Sequence, residues 1–354
     1  MNIDSPIFHK ILTDWYKQNL RDLPWRKNRE PYFVWISEII LQQTRVDQGT
    51  SYFLRFIEKF PTVNSLAEAH EDEVLKLWQG LGYYSRARNI HFAAKQIQND
   101  FKGEFPSTAN NIEKLKGVGK YTAAAIGSIS FNLPMAAVDG NVYRVLSRVF
   151  GISTPIDSTQ GKREFAELAQ QLIDKKNPGT YNEALMEFGA LQCVPQNPNC
   201  SRCPFVEQCI AYDQKTIKSL PVKSIKTKVR NRYFYYLYIK HKKSFYITQR
   251  KENDIWKNLY QLPLIETTEE ILPEKIIIHQ EFQQLFNTVD LAIDAITNPV
   301  THLLSHQKLN VRFIEISVNN DLKHENWIKI CEEDLVQYGV PKVIENFLVK
   351  KTEN

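Results

Sequence analysis

Two carboxylates and four thiols are the side chains of this chain best placed to do chemistry. Glu38 sits in VWISEIILQQT with Ile36, Ile39 and Ile40 around it. A glutamate in apolar company has its charged form penalised, so it can hold a proton near neutral pH and give it away. Gln42 and Arg45 fall on roughly the same face if the segment continues as one helix. Asp139 sits in VDGNVYRVLSR beside Gly140 and Asn141. As a helix N-cap, Asp139 would accept backbone N–H bonds and stay ionised, and a fixed anion stabilises a developing positive charge. One acid and one anion are the division of labour that glycosyl transfer through an oxocarbenium-like transition state needs. Each residue alone has a plainer reading, a helix-surface glutamate and a turn aspartate.

Cys193, Cys200, Cys203 and Cys209 are four of the chain's five cysteines and follow C-x6-C-x2-C-x5-C. The N-terminus MNIDSPIFHKILTDWYKQNL carries Asp4 and Asp14 and no long apolar core. It reads as neither signal nor transit peptide, which argues against disulfides. Tetrahedral zinc and a cubane iron–sulfur cluster both take four thiolates. Zinc modules usually pair two short knuckles, whereas only one gap here is short. Pro195, Pro198 and Pro204 suit a stiff loop wrapped round a 4Fe–4S cluster. The spacing favours the cluster and leaves zinc as the alternative. Cys331 lies far away and reads as a small core residue.

A third motif, LKGVGKYTA, places Gly117, Gly119 and Lys120 between two helices. Glycines there allow tight backbone turns and bring amide N–H groups to a helix N-terminus, where an anion is favoured. The result is a sequence-neutral grip on a nucleic-acid phosphate. A nucleotide P-loop is excluded, because Lys114 stands where its first glycine should be and Tyr121 where its Ser or Thr should be. An ordinary helix–turn–helix corner is the plainer reading.

The elements that must hold these groups are helical up to about residue 212. PYFVWISEIILQQTRVD, AEAHEDEVLKLWQGLG, SRARNIHFAAKQIQNDF, DGNVYRVLSRVFGI, GKREFAELAQQLIDKK and NEALMEFGALQC each carry a helical apolar period or helix boundary signals. From Lys215 to Arg232 there are seven basic residues and no acidic ones: a connector with a basic face. RYFYYLYIKHKKSFYITQR then reads as a β-hairpin turning near Lys242–Ser244, and KVIENFLVK as a helix. A length of 354 residues suits two domains, and 43% apolar content supports proper cores. A net charge of only +5 requires any basic surface to be local. The charge-poor stretch from Tyr121 to Val138 contains Pro134 and several Ser and Thr, and so fits a buried helix and turn better than a membrane span. These features imply a soluble intracellular protein without membrane attachment.

Taken together, LPWR, SEIILQQTRV, GLGYYSRARN, GVGKYTA, VDGNVYRVLSR, NEALMEFGALQC and the cysteine loop resemble the helix-hairpin-helix DNA glycosylases that carry a 4Fe–4S cluster. Within them the chain looks most like the adenine DNA glycosylases, which remove adenine mispaired with 8-oxoguanine. The resemblance is dense over about residues 10–212 and looser beyond, in WKNLYQLPL and HLLSHQKL. It implies a mainly α N-terminal catalytic region, a helix-hairpin-helix six-helix module plus an iron–sulfur helical module, over 1–212 with the cluster loop at 193–209. A basic connector over 213–229 and a C-terminal α+β Nudix-like domain over 230–354 complete the expected architecture.

By the same resemblance Glu38 protonates adenine and Asp139 supports the oxocarbenium ion, with Tyr121 and Asn141 orienting Asp139 or touching the sugar. Trp25, Arg26 and Leu41 match the adenine pocket, and Glu183 a residue that binds the edge of the base. Gln43, Thr44, Leu81 and Tyr83 match the group that probes the opposite base, Tyr83 as an intercalating wedge. Gly117, Gly119 and Lys120 match the phosphate-binding hairpin, and Arg202 would make the cluster loop basic. Strand-cleaving relatives carry a Schiff-base lysine two residues after the second hairpin glycine. Tyr121 occupies that position, and Lys120 is one residue early, about 100° round the helix and facing outward. A monofunctional enzyme is therefore expected.

QRKENDIWKNLYQLPL resembles Nudix hydrolases, but the carboxylate-rich catalytic box is absent. That leaves a recognition domain for 8-oxoguanine, with Ser305 and His306 in the reading loop and Leu304 where the family has an aromatic residue. The expected partner is double-stranded DNA with A opposite 8-oxoguanine or G, bound by a monomer, in the cytoplasm and on the nucleoid if the source is bacterial. The competing readings are a bifunctional pyrimidine-damage glycosylase with lyase activity and a non-enzymatic iron–sulfur DNA-binding protein.

Overall fold

The computed structural model describes residues 4–224, 229–286 and 289–352. Lys226 and Lys228 of the basic connector lie outside the described residues. The chain divides into two compact units, Met1–Glu68 with Asn89–Lys226, and Ala69–Arg88 with Thr227–Asn354.

The first unit is helical. Its elements are α1 (Ser5–Asn19), α2 (Pro31–Leu41), α3 (Val46–Lys59) and α4 (Val63–Glu68). After α5 (Glu71–Leu77), which belongs to the second unit, come α6 (Ser85–Asp100), α7 (Ala109–Glu113), α8 (Lys120–Phe131), α9 (Gly140–Phe150), α10 (Thr159–Leu172), α11 (Pro178–Leu191) and α12 (Ile210–Asp213). Prolines open the first turns of α1, α2 and α11, where a missing N–H costs nothing. Phe8, Leu12, Val145, Leu146, Phe165, Phe188 and Phe205 form one core, which joins α1, α9, α10 and α11 to the cysteine loop. Gly189 of α11 is needed for close approach: a Cβ there would sit 2.6 Å from Asn141 Cβ at the head of α9.

Two helices expected as single runs are broken. PYFVWISEIILQQTRVD splits because Gln42 leaves helical geometry (ψ 109°) and Gln43 adopts φ +60°, so α3 restarts at Val46. Arg45 therefore does not continue the Glu38 face, whereas Gln42, at the C-cap of α2, still lines the same cavity as Glu38. AEAHEDEVLKLWQGLG splits at His70, which caps α5 and forms a capping box with Glu73.

In the second unit β1 (Arg230–His241), β2 (Ser244–Gln249), β3 (Tyr260–Gln261) and β4 (Leu264–Thr267) precede α13 (Pro273–Ile276) and α14 (Gln280–Phe286). Then follow β5 (Leu291–Ile296), β6 (Val300–Leu303), β7 (Gln307–Val318), β8 (Trp327–Cys331) and α15 (Lys342–Thr352). The strands form an eight-stranded mixed sheet around the order β3-β2-β1-β7-β5. β1 and β7 pair in parallel from Arg230↔Gln307 to Lys240↔Ser317, while the other pairs are antiparallel.

The β1–β2 hairpin turns through Lys242 at φ +55°. β1 is buried on both faces, which explains its unbroken aromatic run. Tyr235, Leu237 and Ile239 join Phe282 and Phe286 of α14, while Tyr238 and Phe313 meet Phe347 of α15. Residues 69–88 pack within this unit: Lys76 donates to the Tyr338 carbonyl at 2.9 Å, Arg88 to that of Lys257 at 2.8 Å, and Asn258 to Glu71 at 2.5 Å. Among the described residues no helix is long and apolar enough to cross a membrane.

Candidate active site

A cavity of about 540 Å³ in the first unit gathers side chains from six places in the chain. Trp25 and Arg26 come from the turn at Pro24–Arg26, Glu38 and Leu41 from the last turn of α2, Gln43 and Thr44 from the break that follows, Tyr121 from the first turn of α8, Asp139 and Asn141 from the head of α9, and Glu183 from α11. Every residue that the sequence assigned to acid–base work or to the base pocket lines this one space.

Glu38 is half-buried by surface accessibility because the cavity reaches it, but protein surrounds its carboxyl. Tyr121 Oη donates to Glu38 Oε2 at 2.5 Å, leaving Oε1 to carry a proton. Burial raises the Glu38 carboxyl to about 7; the Tyr121 hydrogen bond opposes this, and the charges of Asp139 and Glu183 add to it. Tyr121 is itself pushed far up by burial and by Glu38, so it stays a donor. Asp139 caps α9: Oδ1 accepts the N–H of Asn141 at 2.9 Å and of Val142 at 2.8 Å, and Oδ2 accepts Asn141 Nδ2 at 2.8 Å. Burial raises its carboxyl above the ordinary value, and these hydrogen bonds hold it back. The direction is thus upward, where capping alone would have pulled it down.

Sequence reasoning missed several residues around this cavity. Glu187, one turn beyond Glu183 on α11, accepts from both Arg21 and Arg26. Met186 Sδ lies 3.3 Å from Tyr121 Oη. Arg144 and Arg148, one turn apart on α9, tie the site to the cysteine loop. Arg144 donates to Asn141 Oδ1 at 2.8 Å, to the Gly189 carbonyl at 2.7 Å and to the Cys193 carbonyl at 2.7 Å. Arg148 donates to the carbonyls of Val194, Pro195 and Leu220 and lies 3.5 Å from Cys193 Sγ. The available signal was a pair of charges at i, i+4 inside apolar helical runs.

Cys193, Cys200, Cys203 and Cys209 line one small cavity whose other walls include Val149, Phe188, Phe205 and Ile217. Burial raises the thiols of Cys200, Cys203 and Cys209, Cys203 to about 12. Backbone N–H groups of Phe205, Ala211 and Tyr212 turn toward the Cys203 and Cys209 sulfurs, and the Arg148 guanidinium toward Cys193. Cys209 is buried and the other three are partly so; with N–H groups and a guanidinium turned toward them they fit a thiolate-ligated group, and the all-sulfur set fits iron–sulfur. Among the described residues no three His, Cys, Asp or Glu side chains gather tightly round one point to hold a single ion.

At the glycine corner Gly117 takes φ +80° and Gly119 does not, with φ −94° as the cap of α8. Gly119 and Lys120 are exposed at that helix head. Only Gly117 is thus required by backbone conformation. In the second unit Leu81 is buried, and Tyr83, 45% exposed, stands at φ +48° with the Arg86 guanidinium over its ring. Ser305 and His306 form the exposed turn between β6 and β7, and Tyr83 Oη is hydrogen-bonded to Ser305 Oγ.

A profile of the HhH-GPD superfamily base excision DNA repair proteins matches residues 36–175, and one of the NUDIX domain matches residues 234–350. The adenine DNA glycosylase of Buchnera aphidicola subsp. Acyrthosiphon pisum is 36% identical over 348 residues, covering 96% of this chain and 97% of its own. The adenine DNA glycosylase of Homo sapiens is 45% identical over 213 residues, 58% of this chain and 39% of its own. A solved structure of a thermostable thymine-DNA glycosylase aligns with a TM-score of 0.55 at 30% identity, covering 59% of this chain and 97% of that one. With likeness over 97% of a relative's length and both domain profiles matched in order along the chain, the chain belongs to the adenine DNA glycosylases, a family of monofunctional base excision repair enzymes.

Proposed function

We propose that the enzyme removes adenine paired with 8-oxoguanine or G by hydrolysis at the cavity that holds Glu38 and Asp139. The observation that carries this is the sharing of one open cavity by a raised carboxyl bonded to Tyr121 and a carboxyl capping a helix. The base leaves the stack and enters the cavity. Glu38 gives its proton to adenine N7, and the C1′–N9 electron pair departs with the neutral base. Asp139 stabilises the cationic sugar that remains, and water adds to C1′ with loss of a proton, leaving an abasic site. Tyr121 holds Glu38 and offers no amine for a Schiff base. Asn141 fixes Asp139, while Trp25, Arg26, Leu41 and Glu183 enclose the base.

Gln43 and Thr44 lie at the cavity's edge and would meet DNA there. Leu81 supports and Tyr83 supplies the wedge, and Ser305 with His306 reads the opposite base. Gly119 and Lys120 at the head of α8 hold a phosphate, with Gly117 shaping the turn. Cys193, Cys200, Cys203 and Cys209 would hold a 4Fe–4S cluster, which when bound supplies a rigid core for a basic loop. The working division is 1–212 for excision, 213–229 as connector and 230–354 for reading the lesion, in a monomer acting on chromosomal DNA inside the cell.

The test uses duplexes carrying A opposite 8-oxoguanine, A opposite G, or thymine glycol, read before and after alkali. Breaks in the adenine strand that need alkali are expected. Breaks without alkali, borohydride trapping of enzyme on DNA, or cutting of thymine glycol would establish a lyase instead. Glu38→Gln is expected to lower excision by roughly 10²–10⁴-fold with duplex binding retained; excision at the native rate would end the proposal.

A further inference from the structure

Glu187 is a buried carboxylate that the reaction above does not use. Its side chain is 2% exposed, yet it borders the cavity. One oxygen accepts Arg21 N–H at 3.1 Å, Arg21 Nε at 2.8 Å and Arg26 Nη1 at 3.2 Å; the other accepts Arg21 Nη2 and Arg26 Nη2, each at 2.8 Å. Two guanidinium forks therefore close on one carboxylate. Arg26 also donates to the Arg21 carbonyl at 3.1 Å, so the segment from 21 to 26 is clipped into a fixed loop against α11.

Arg26 faces a conflict. It lines the same cavity as Glu38, and its positive charge acts on Glu38 to favour the carboxylate. The other groups acting on Glu38 are Tyr121 from α8, Asp139 ahead of α9 and Glu183 from α11. A guanidinium released from Glu187 could turn toward Glu38 as well as Glu183, and pairing with Glu38 would remove the proton that base departure needs. Glu187 opposes that by holding both Nη groups of the fork, whereas Glu183 reaches Arg26 only through Nε at 3.8 Å. Three cations, Arg21, Arg26 and Arg29, stand on the two carboxylates Glu183 and Glu187 along this wall.

We propose that Glu187 is a positioning residue for base removal: gripping Arg21 and Arg26 together, it fixes the wall beside the extruded base and keeps Arg26 from pairing with Glu38. This rests on the reading of Glu38 as the proton donor.

The test follows single-turnover adenine release across pH by the full-length native enzyme and by Glu187→Gln, with duplex affinity measured alongside. The native rate should fall as pH rises through the range where Glu38 ionises. In Glu187→Gln that fall should come at lower pH, with release at least about tenfold slow at pH ~8, within about threefold of native at pH ~5.5, and duplex affinity unchanged. Glu187→Gln/Arg26→Gln, which removes the cation along with its clamp, should return the fall to the native pH or above. A loss equal at every pH, no loss, or a double variant still displaced to lower pH would overturn the proposal. If the single variant does not give a cooperative melt, the double variant against native decides by the same criterion. A native profile without the alkaline fall, or a Glu38→Gln enzyme that still releases adenine, would instead sink the reading of Glu38 and leave the clamp's role as packing alone.

Discussion

At the scale of single residues, the active cavity is a contest over one proton. Moving the Glu38 carboxyl from 4.5 to about 7 corresponds to about 3 kcal/mol between its two protonation states. The folded protein holds that proton between those values and the unfolded chain does not. Glu38 therefore contributes stability that is fully present below about 4.5 and is lost as pH rises through about 7. Glu38→Gln removes a group that must ionise against burial, so its melting temperature should exceed the native one at pH ~8 and match it at pH ~4.5. Scanning calorimetry at the two pH values checks this; a variant less stable at both would show that Glu38 contributes mainly by packing. Tyr121→Phe removes the hydrogen bond that favours the Glu38 carboxylate. The alkaline fall in its rate should move to higher pH while the maximum drops, as a single-turnover profile would record. A fall displaced to lower pH would mean that Tyr121 protects the proton.

At the scale of elements, the glycine corner separates folding from binding. Gly117 stands at φ +80°, and a Cβ there would meet Asn89 Cβ at 2.7 Å. Gly117→Ala should destabilise by about 1–3 kcal/mol. Gly119 has ordinary φ and nothing within 4 Å of an added Cβ. Gly119→Ala should leave the melt within about 0.5 kcal/mol of native and still weaken duplex binding, because the methyl would occupy the space proposed above for a phosphate. Unchanged affinity in a fully folded Gly119→Ala protein would remove the corner from the DNA-binding surface.

Elements also show what could be read in advance. The apolar neighbours of Glu38 and the aromatic run of β1 were legible because burial writes itself into local composition. The break after Leu41 was not, since the apolar period runs on and the left-handed residue is Gln43, not a glycine. Nor was the grip of Glu187 on Arg21, which joins positions 166 residues apart. Ion pairs between distant segments leave no local pattern, so Glu38 and Asp139 stood out in the sequence and the ion pairs around their cavity did not.

At the scale of the whole molecule, chain order and compact units disagree. The second unit takes in Ala69–Arg88 as well as Thr227–Asn354. Cutting the chain after residue 224 would strip Lys76, Gln79 and Arg88 of the acceptors and donors that Tyr338, Val340 and Lys257 provide. The shortened protein should melt lower than the full chain and be nicked first within 69–88 by a protease at low dose; mass spectrometry of the fragments locates the cut. Equal protease resistance of 69–88 in both forms would mean that the segment holds itself. The same arrangement bears on synthesis. Ribosomes add roughly 5–20 residues per second, so 69–88 emerges on the order of ten seconds before the strands it joins. During that wait the nascent polypeptide carries an unmatched seam, and a chaperone that shields it until translation ends would raise the yield of finished enzyme.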